Sequence, residues 1–445
     1  MRKDRDKYIF LTKAPVSRVI TTLAVPTIIS MLITSAYNMS DTYFVGRLNT
    51  QCTAAVGVSF SIMSVIQAIG FFFGHGSGNF MSRALGARCI SRARRMATTG
   101  FLFSFALGCC VAIVGSFFLE RIALWLGSTP TVLPYTMDYL GIVFWGAPMM
   151  TSSFTMNNQM RFQGNALYAM YGVLSGALLN IILDPLLIFC FGMGIQGAAY
   201  ATLISQSIGF LILLWMTFRG GGVGIHLSLF SPRALFLKEI FLGGTPSLSR
   251  QGLASFSTIM LNVSAGQYGD AAIAAMSIVS RFCFFIFAII IGFGQGFQPL
   301  CGFCYGAKLF HRVREGFFFC VKNGTLFLVT VAVVGFIFAP EIVKEFRHDP
   351  YVINIGARAL RWQFITFPLL PLIGISNMYL QTIRKPLAAN FVAAARSGLF
   401  FIPLIIILPY FLGLTGVEIC QSVSDVCTFV VALPVTLHTL NAMEK

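Results

Sequence analysis

Twelve apolar stretches of span length divide this chain of 445 residues, separated by short segments rich in charge, glycine and proline. They fall at roughly 20–45, 54–77, 97–119, 135–158, 167–191, 197–218, 241–265, 272–298, 317–339, 353–380, 387–412 and 416–438. About 20 apolar residues are what an α-helix needs to cross a hydrocarbon core of about 30 Å, and glycine and proline inside such helices are tolerated when neighbours satisfy the freed backbone groups. The chain therefore predicts an all-α integral membrane protein of 12 transmembrane helices. Composition excludes a water-soluble domain: 56% of residues are AVILMFWYC and 10% are charged, against about 25% charged in soluble proteins. Twelve spans and short loops leave no room for an appended globular domain, so function must reside in the bundle.

The net charge of +16 would suggest nucleic acid in a soluble protein, but its placement points elsewhere. Basic residues collect between spans, at Arg2 to Arg18, Arg83 to Arg95, Lys308 to Lys322 and Arg384-Lys385. Of the 31 Lys and Arg, 22 fall on one side, six on the other (Arg47, Arg121, Lys344, Arg347, Arg358, Arg361) and three within spans. The positive-inside rule then puts both termini in the cytoplasm, with no nucleic-acid partner. The first apolar stretch is too long for a signal h-region and is expected to be retained. The 11 cysteines are scattered and behave as small hydrophobes; Cys301-Gly-Phe-Cys304 is a lone CxxC whose default role is packing.

The chain repeats itself with a period of 220. Pro26 falls on Pro246, Gly46 on Gly266, Ala54-Ala55 on Ala274-Ala275, Gly74 and Gly76 on Gly294 and Gly296, Gly86-Ala87-Arg88 on Gly306-Ala307-Lys308, and Arg92 and Arg94 on Arg312 and Arg314. Pro130, Pro148 and Asn157 meet Pro350, Pro368 and Asn377, and a one-residue slip then aligns Gly194 and Gly197 with Gly413 and Gly416. Chance similarity between greasy helices would scatter Ala, Ile and Leu matches, not hold Gly, Pro and Arg in one register. Six spans per half insert with the same orientation, so the halves form two six-helix lobes related by a parallel repeat. Such bundles typically bind substrate between lobes and rock. The expected organisation is a cytoplasmic segment 1–19, an N-lobe 20–218, a cytoplasmic linker 219–239, a C-lobe 240–440 and a tail 441–445. The linker's Gly220-Gly221-Gly222 suggests flexibility suited to rigid-body motion.

Charge at mid-membrane costs about 2.5–3.5 kcal/mol even on mild insertion scales, so Asp41 and Asp184 need a reason. Depth counted at about 1.5 Å per residue puts both in the outer third, at one level with Thr202 and Tyr139. Asn180 and Asp184, four apart, share a helix face. Pro185 has no N–H and leaves the Ile181 carbonyl without its helical donor. Two carboxylates, an amide oxygen, a hydroxyl and a free carbonyl suit a small monovalent cation such as Na+ at Asp41, Asn180, Asp184 and Thr202. They suit a proton equally: close carboxylates in a low-dielectric site cannot both stay ionised unless a cation lies between them, and otherwise one takes up a proton. A purely structural network is the plain alternative.

The second half lacks this cluster, with Leu261 opposite Asp41 and Pro403 opposite Asp184. It buries Arg250, Arg281 and Arg396 instead, with Asp425 as the evident partner for Arg396; Arg281 could equally snorkel to headgroups. Tyr37, Asn157, Arg250 and Gln251 are candidates for a substrate cavity. His75 reads as a hydrogen-bonded packing residue. The 45 Phe and 18 Met would let a cleft adapt to varied flat ligands, and cation–π attraction would favour organic cations.

Tyr37-Asn38-x-x-Asp41-x-x-Phe44-Val45-Gly46, with Pro26, Gly86 and Asn180-x-x-x-Asp184-Pro185-Leu186, resembles the multidrug and toxic compound extrusion (MATE) transporters over essentially the whole chain, most closely their prokaryotic branch. The resemblance implies a V-shaped transporter of the bacterial cytoplasmic membrane, acting as a monomer among lipids and not as an enzyme. It would export cationic amphipathic drugs in exchange for H+ or Na+ by alternating access, with no other cofactor. The family's N-lobe cation cluster maps onto Asp41, Asn180, Asp184 and Thr202 with Tyr139 beside them, and its bending first helix onto Pro26. Coupling through the C-lobe is not expected, because the seventh span reads Pro246-Ser247-Leu248-Ser249-Arg250-Gln251 without an acid. A lipid-linked oligosaccharide flippase of related fold is the alternative function.

Overall fold

The computed structural model describes residues 2–219 and 222–443; Gly220 and Gly221 of the linker and the last two residues of the tail lie outside the described residues. Described residues form helices and turns, with no strand among them. Twelve long rods follow a short N-terminal helix, Arg2–Lys13. They are α1 (Val16–Gly46), α2 (Thr50–Gly86), α3 (Ile90–Phe117), α4 (Leu133–Phe162), α5 (Ala166–Pro185, extended by a π-turn Leu186–Cys190) and α6 (Gly194–Arg219). The second set is α7 (Ala234–Gly266), α8 (Asp270–Gly306), α9 (Phe310–Ile337), α10 (Pro350–Thr366, a 3-10 turn Phe367–Leu369, then Leu370–Thr382), α11 (Pro386–Ala394, a π-turn Ala395–Leu399, then Phe401–Leu412) and α12 (Leu414–Ala442).

Ten rods are long and apolar enough to cross a membrane. The two others, α4 and α7, are 30 and 33 residues long but more polar. In α4 the polar side chains are spent inside the protein: Thr155 Oγ1 donates to Ser104 Oγ at 2.8 Å, and Gln159 Nε2 donates to Ser77 Oγ at 2.9 Å and to the Ala97 carbonyl at 3.1 Å. Hydroxyls and amides between helices replace water where none is available.

Two compact units make up the chain, residues 1–14 with 25–244 and residues 15–24 with 245–445. The first turns of α1 thus belong to the second unit, and the first turns of α7 to the first. Within each unit the sequence repeat is reproduced in backbone detail. Arg88 and Lys308 both adopt φ 59° after α2 and α8, and Gly194 and Gly413 both adopt φ 57° before α6 and α12. Asn157 Nδ2 donates to the Ala169 carbonyl at 2.9 Å, and Asn377 Nδ2 to the Ala389 carbonyl at 2.7 Å.

The segment between α6 and α7 is moored to the first unit, unlike the flexible tether its glycines suggest. Thr98 Oγ1 bonds both the carbonyl and the N–H of His226, at 3.2 Å each. Thr99 does the same for Ser231 at 3.3 Å, and Gln163 Oε1 accepts from the Val223 N–H at 2.6 Å. Val223 and Ile225 are buried. Threonine hydroxyls both donate and accept, so two of them tie down an irregular strand that has no partner strand.

Candidate functional site

In the first unit α1, α4, α5 and α6 bring polar side chains into an apolar setting. Asp41 is 7% exposed, and Asp184, Asn180, Thr202 and Tyr139 are 1% or less. The Asp41 and Asp184 carboxylates are close enough for their charges to act on each other, and the phenols of Tyr37 and Tyr139 both approach Thr202. These side chains come from four separate spans and act on one another within the first unit.

Inside the protein these groups find almost no hydrogen bonds. Asp41 Oδ1, both Asp184 oxygens, both Asn180 amide atoms and Thr202 Oγ1 are buried without a hydrogen-bond partner. Native interiors satisfy nearly all buried polar atoms, and an ionised carboxylate left alone in low dielectric is costly. So many unpaired polar atoms in one buried cluster set it apart from an ordinary interior. No arginine or lysine ion pair engages either aspartate among the described residues.

Local sequence explains the opening. Pro185 cannot donate, and past it the helix widens into the π-turn Leu186–Cys190, closed by the Phe191 N–H on the Leu186 carbonyl at 3.0 Å. Gly197 lets α6 rest directly on this turn: a Cβ there would lie 2.8 Å from the Leu187 carbonyl carbon and oxygen. Beside the cluster Val45, Cys52, Ala55, Tyr139, Val143, Ile188, Ile195 and Ala198 pack as one apolar core. Beyond that core a cavity of about 500 Å³ opens, lined in part by Asn49, Cys52, Tyr135, Asp138, Ile195 and Gln196. Cys52 and Ile195 belong to both, so the core is a floor under the hollow.

Tyr37, a candidate cavity residue from sequence, lies one turn before Asp41 and within reach of both carboxylate charges. Gln206 beside Tyr37 escaped the sequence reading, although its i+4 spacing from Thr202 is the same signal that paired Asn180 with Asp184. Met63 also escaped it, and its Sδ receives the Tyr139 hydroxyl at 3.9 Å. Asn157 spends its amide on the Ala169 carbonyl. Pro26 sits inside α1, where the Ser30 hydroxyl takes its carbonyl at 2.9 Å.

The second unit holds the basic residues. Arg396 Nε donates to Asp425 Oδ1 at 2.8 Å, assisted by Gln421 at 2.9 Å, and its guanidinium lies 4.4 Å from the Phe287 ring centre. Arg358 pairs with Glu418 at 2.7 Å. Arg250 Nη1 donates to Asn377 Oδ1 at 3.0 Å, Gln251 beside it is half-buried, and Arg281 is exposed. His75 is buried, with Nδ1 3.1 Å from the Phe71 carbonyl and its ring edge-on to Phe162.

The chain is similar to the multidrug export protein MepA of Staphylococcus aureus, 29% identical over 421 residues that span 93% of this chain and 92% of that protein. MepA of Staphylococcus haemolyticus is 28% identical over 433 residues, 96% of this chain and 94% of that one. Among solved structures, a multidrug resistance MATE family transporter of the MOP superfamily in an outward-facing conformation superposes with a TM-score of 0.93 at 25% identity, covering 98% of both chains. The MatE family model matches residues 26–186 and 246–436, one segment in each repeat, and the chain belongs to the MatE family.

Proposed function

We propose that this protein is a multidrug efflux transporter of a bacterial cytoplasmic membrane, with both termini in the cytoplasm, that expels amphipathic organic cations by alternating-access antiport. Exchange is driven by inward H+ or Na+ at Asp41 and Asp184. The observation that carries this reading is the pair of buried aspartates, three of whose four carboxylate oxygens have no hydrogen-bond partner, with Asn180 and Thr202 equally unsatisfied beside them. The relatives named for multidrug export supply the cargo class.

Physically, a cation entering the cluster neutralises the two carboxylates and makes one packing of α1 against α5 and α6 more favourable than another. An ion shifts a conformational equilibrium only by its differential affinity for the two states. A site of bare carboxylates supplies that difference, because it is strongly unfavourable when empty and closed. Asn180, Thr202 and the carbonyl freed by Pro185 give further oxygens for Na+, and Tyr37 and Tyr139 wall the site.

The test is dye efflux from vesicles under an imposed H+ or Na+ gradient. Wild type is expected to expel a cationic dye under one of the two gradients. Asp41→Asn should remove gradient-driven efflux while leaving the amount and melting temperature of the protein unchanged. Full efflux by that variant would end the coupling role. Dye movement under neither gradient would end the antiport reading.

A further inference from the structure

Arg250 stands at the centre of α7, 16 residues after Ala234 and 16 before Gly266, about 24 Å from either end of the rod. A guanidinium there is costly. Two other arginines of the second unit are matched to acids, Arg358 to Glu418 and Arg396 to Asp425, whereas Arg250 has no carboxylate partner among the described residues. Its one hydrogen bond goes to Asn377 Oδ1, and Asn377 is held in that orientation by its own amide on the Ala389 carbonyl. A guanidinium has five N–H donors, so most of the fork is left over on a half-buried side chain.

The internal repeat builds the equivalent position without this charge. The position equivalent to Arg250 is Ser30, whose hydroxyl is satisfied within its own helix by the Pro26 carbonyl. Asn157 makes the same amide bond as Asn377 with no arginine beside it. Around Arg250 the α7, α10 and α11 surfaces are polar: Ser249 Oγ donates to Asn390 Oδ1 at 3.0 Å, and Gln381 Nε2 to Ser247 Oγ at 2.8 Å.

We infer that Arg250, oriented by Asn377, binds the carboxylate of zwitterionic amphipathic drugs and so sets which cargo the transporter accepts. The planar fork matches a carboxylate with two parallel hydrogen bonds, stronger than neutral ones, and in low dielectric their strength rises further. The inference rests on the efflux reading above.

The experiment compares a xanthene dye bearing a free carboxylate with its methyl ester, which has the same fluorophore and cationic end. Binding to the purified transporter and gradient-driven efflux from vesicles are both measured. Wild type is expected to carry both dyes. Arg250→Gln should lower binding and efflux of the free acid about tenfold or more, keep the ester within about twofold, and leave the melting temperature in place. Arg250→Lys, which keeps the charge and loses the fork, should recover part of the loss. Equal loss of both dyes in both variants would make Arg250 structural and overturn the inference, as would no loss of either dye. Wild type carrying only the ester would overturn it while leaving the efflux reading intact; carrying neither dye would overturn both. The assay is repeated in vesicles with and without an anionic phospholipid. An Arg250 effect that follows lipid phosphate rather than the dye's carboxylate would assign the residue to a headgroup and overturn the inference.

Discussion

At the scale of single residues, the site is built from atoms that lack partners. Asp184 is fully buried, yet neither of its oxygens is hydrogen-bonded, and Asn180 one turn before it is in the same condition. Such residues cost stability in the absence of an occupant, so removing them should stabilise the protein while stopping its work. Asp184→Asn is expected to lose gradient-driven efflux and to melt at the same temperature as wild type or higher; a large drop in melting temperature would make Asp184 a structural residue. Gly197 works the other way, permitting contact rather than chemistry. A methyl group 2.8 Å from the Leu187 backbone cannot be accommodated by a rotamer change, because the obstacle is main chain. Gly197→Ala should therefore cost about 1–3 kcal/mol, visible as a lower melting temperature. An unchanged melt would show that α6 does not rest on the π-turn. Gly416 repeats the device in the second unit, where a Cβ would meet the Leu408 carbonyl.

Among the elements, α5 is the one whose irregularity serves the site. Pro185 ends its regular bonding one residue after Asp184, and the π-turn that follows re-aims the chain before α6. A proline inside a helix costs about 3 kcal/mol unless neighbours satisfy the freed backbone groups. Pro185→Ala would return an N–H that the Ile181 carbonyl can accept. Its expected outcome is a melting temperature at or above that of wild type together with a severalfold weaker dependence of efflux on the coupling ion, read by titrating that ion against dye efflux. Unaltered ion dependence would show that this carbonyl takes no part. The elements were readable in advance because each carries its own periodic or apolar signal, and even α4, too polar to pass as a simple span, was found from its apolar stretch. The partners of its buried Thr155 and Gln159, namely Ser77, Ser104 and the Ala97 carbonyl, lie on other helices.

At the scale of the whole molecule, the described part of the linker is moored to the first unit. The linker's glycines gave a local signal of flexibility, while the residues that hold it, Thr98, Thr99 and Gln163, sit far away in sequence and resemble any polar residue at a helix end. Thr98→Val with Thr99→Val keeps shape and removes four hydrogen bonds to the segment. Limited trypsin digestion should then cut at Arg233 markedly faster than in wild type, while helix content stays the same. Equal cutting rates would mean that these threonines do not restrain the linker.

The residues of the chain by themselves determined that it folds as membrane-spanning helices, that it is a doubled six-helix unit, and that Asp41 and Asp184 are anomalies at a common depth. Those properties follow from counts along one dimension: apolar length against bilayer thickness, a repeat in glycine and proline, and residues from the end of a span. Tertiary structure alone decided that three of the four aspartate oxygens are left without a hydrogen-bond partner, that Tyr37 lies with them, and that Arg250 bonds an amide. Which side chains face each other depends on the rotation of each helix about its own axis, and helix rotation is set by packing against neighbours that no single segment encodes.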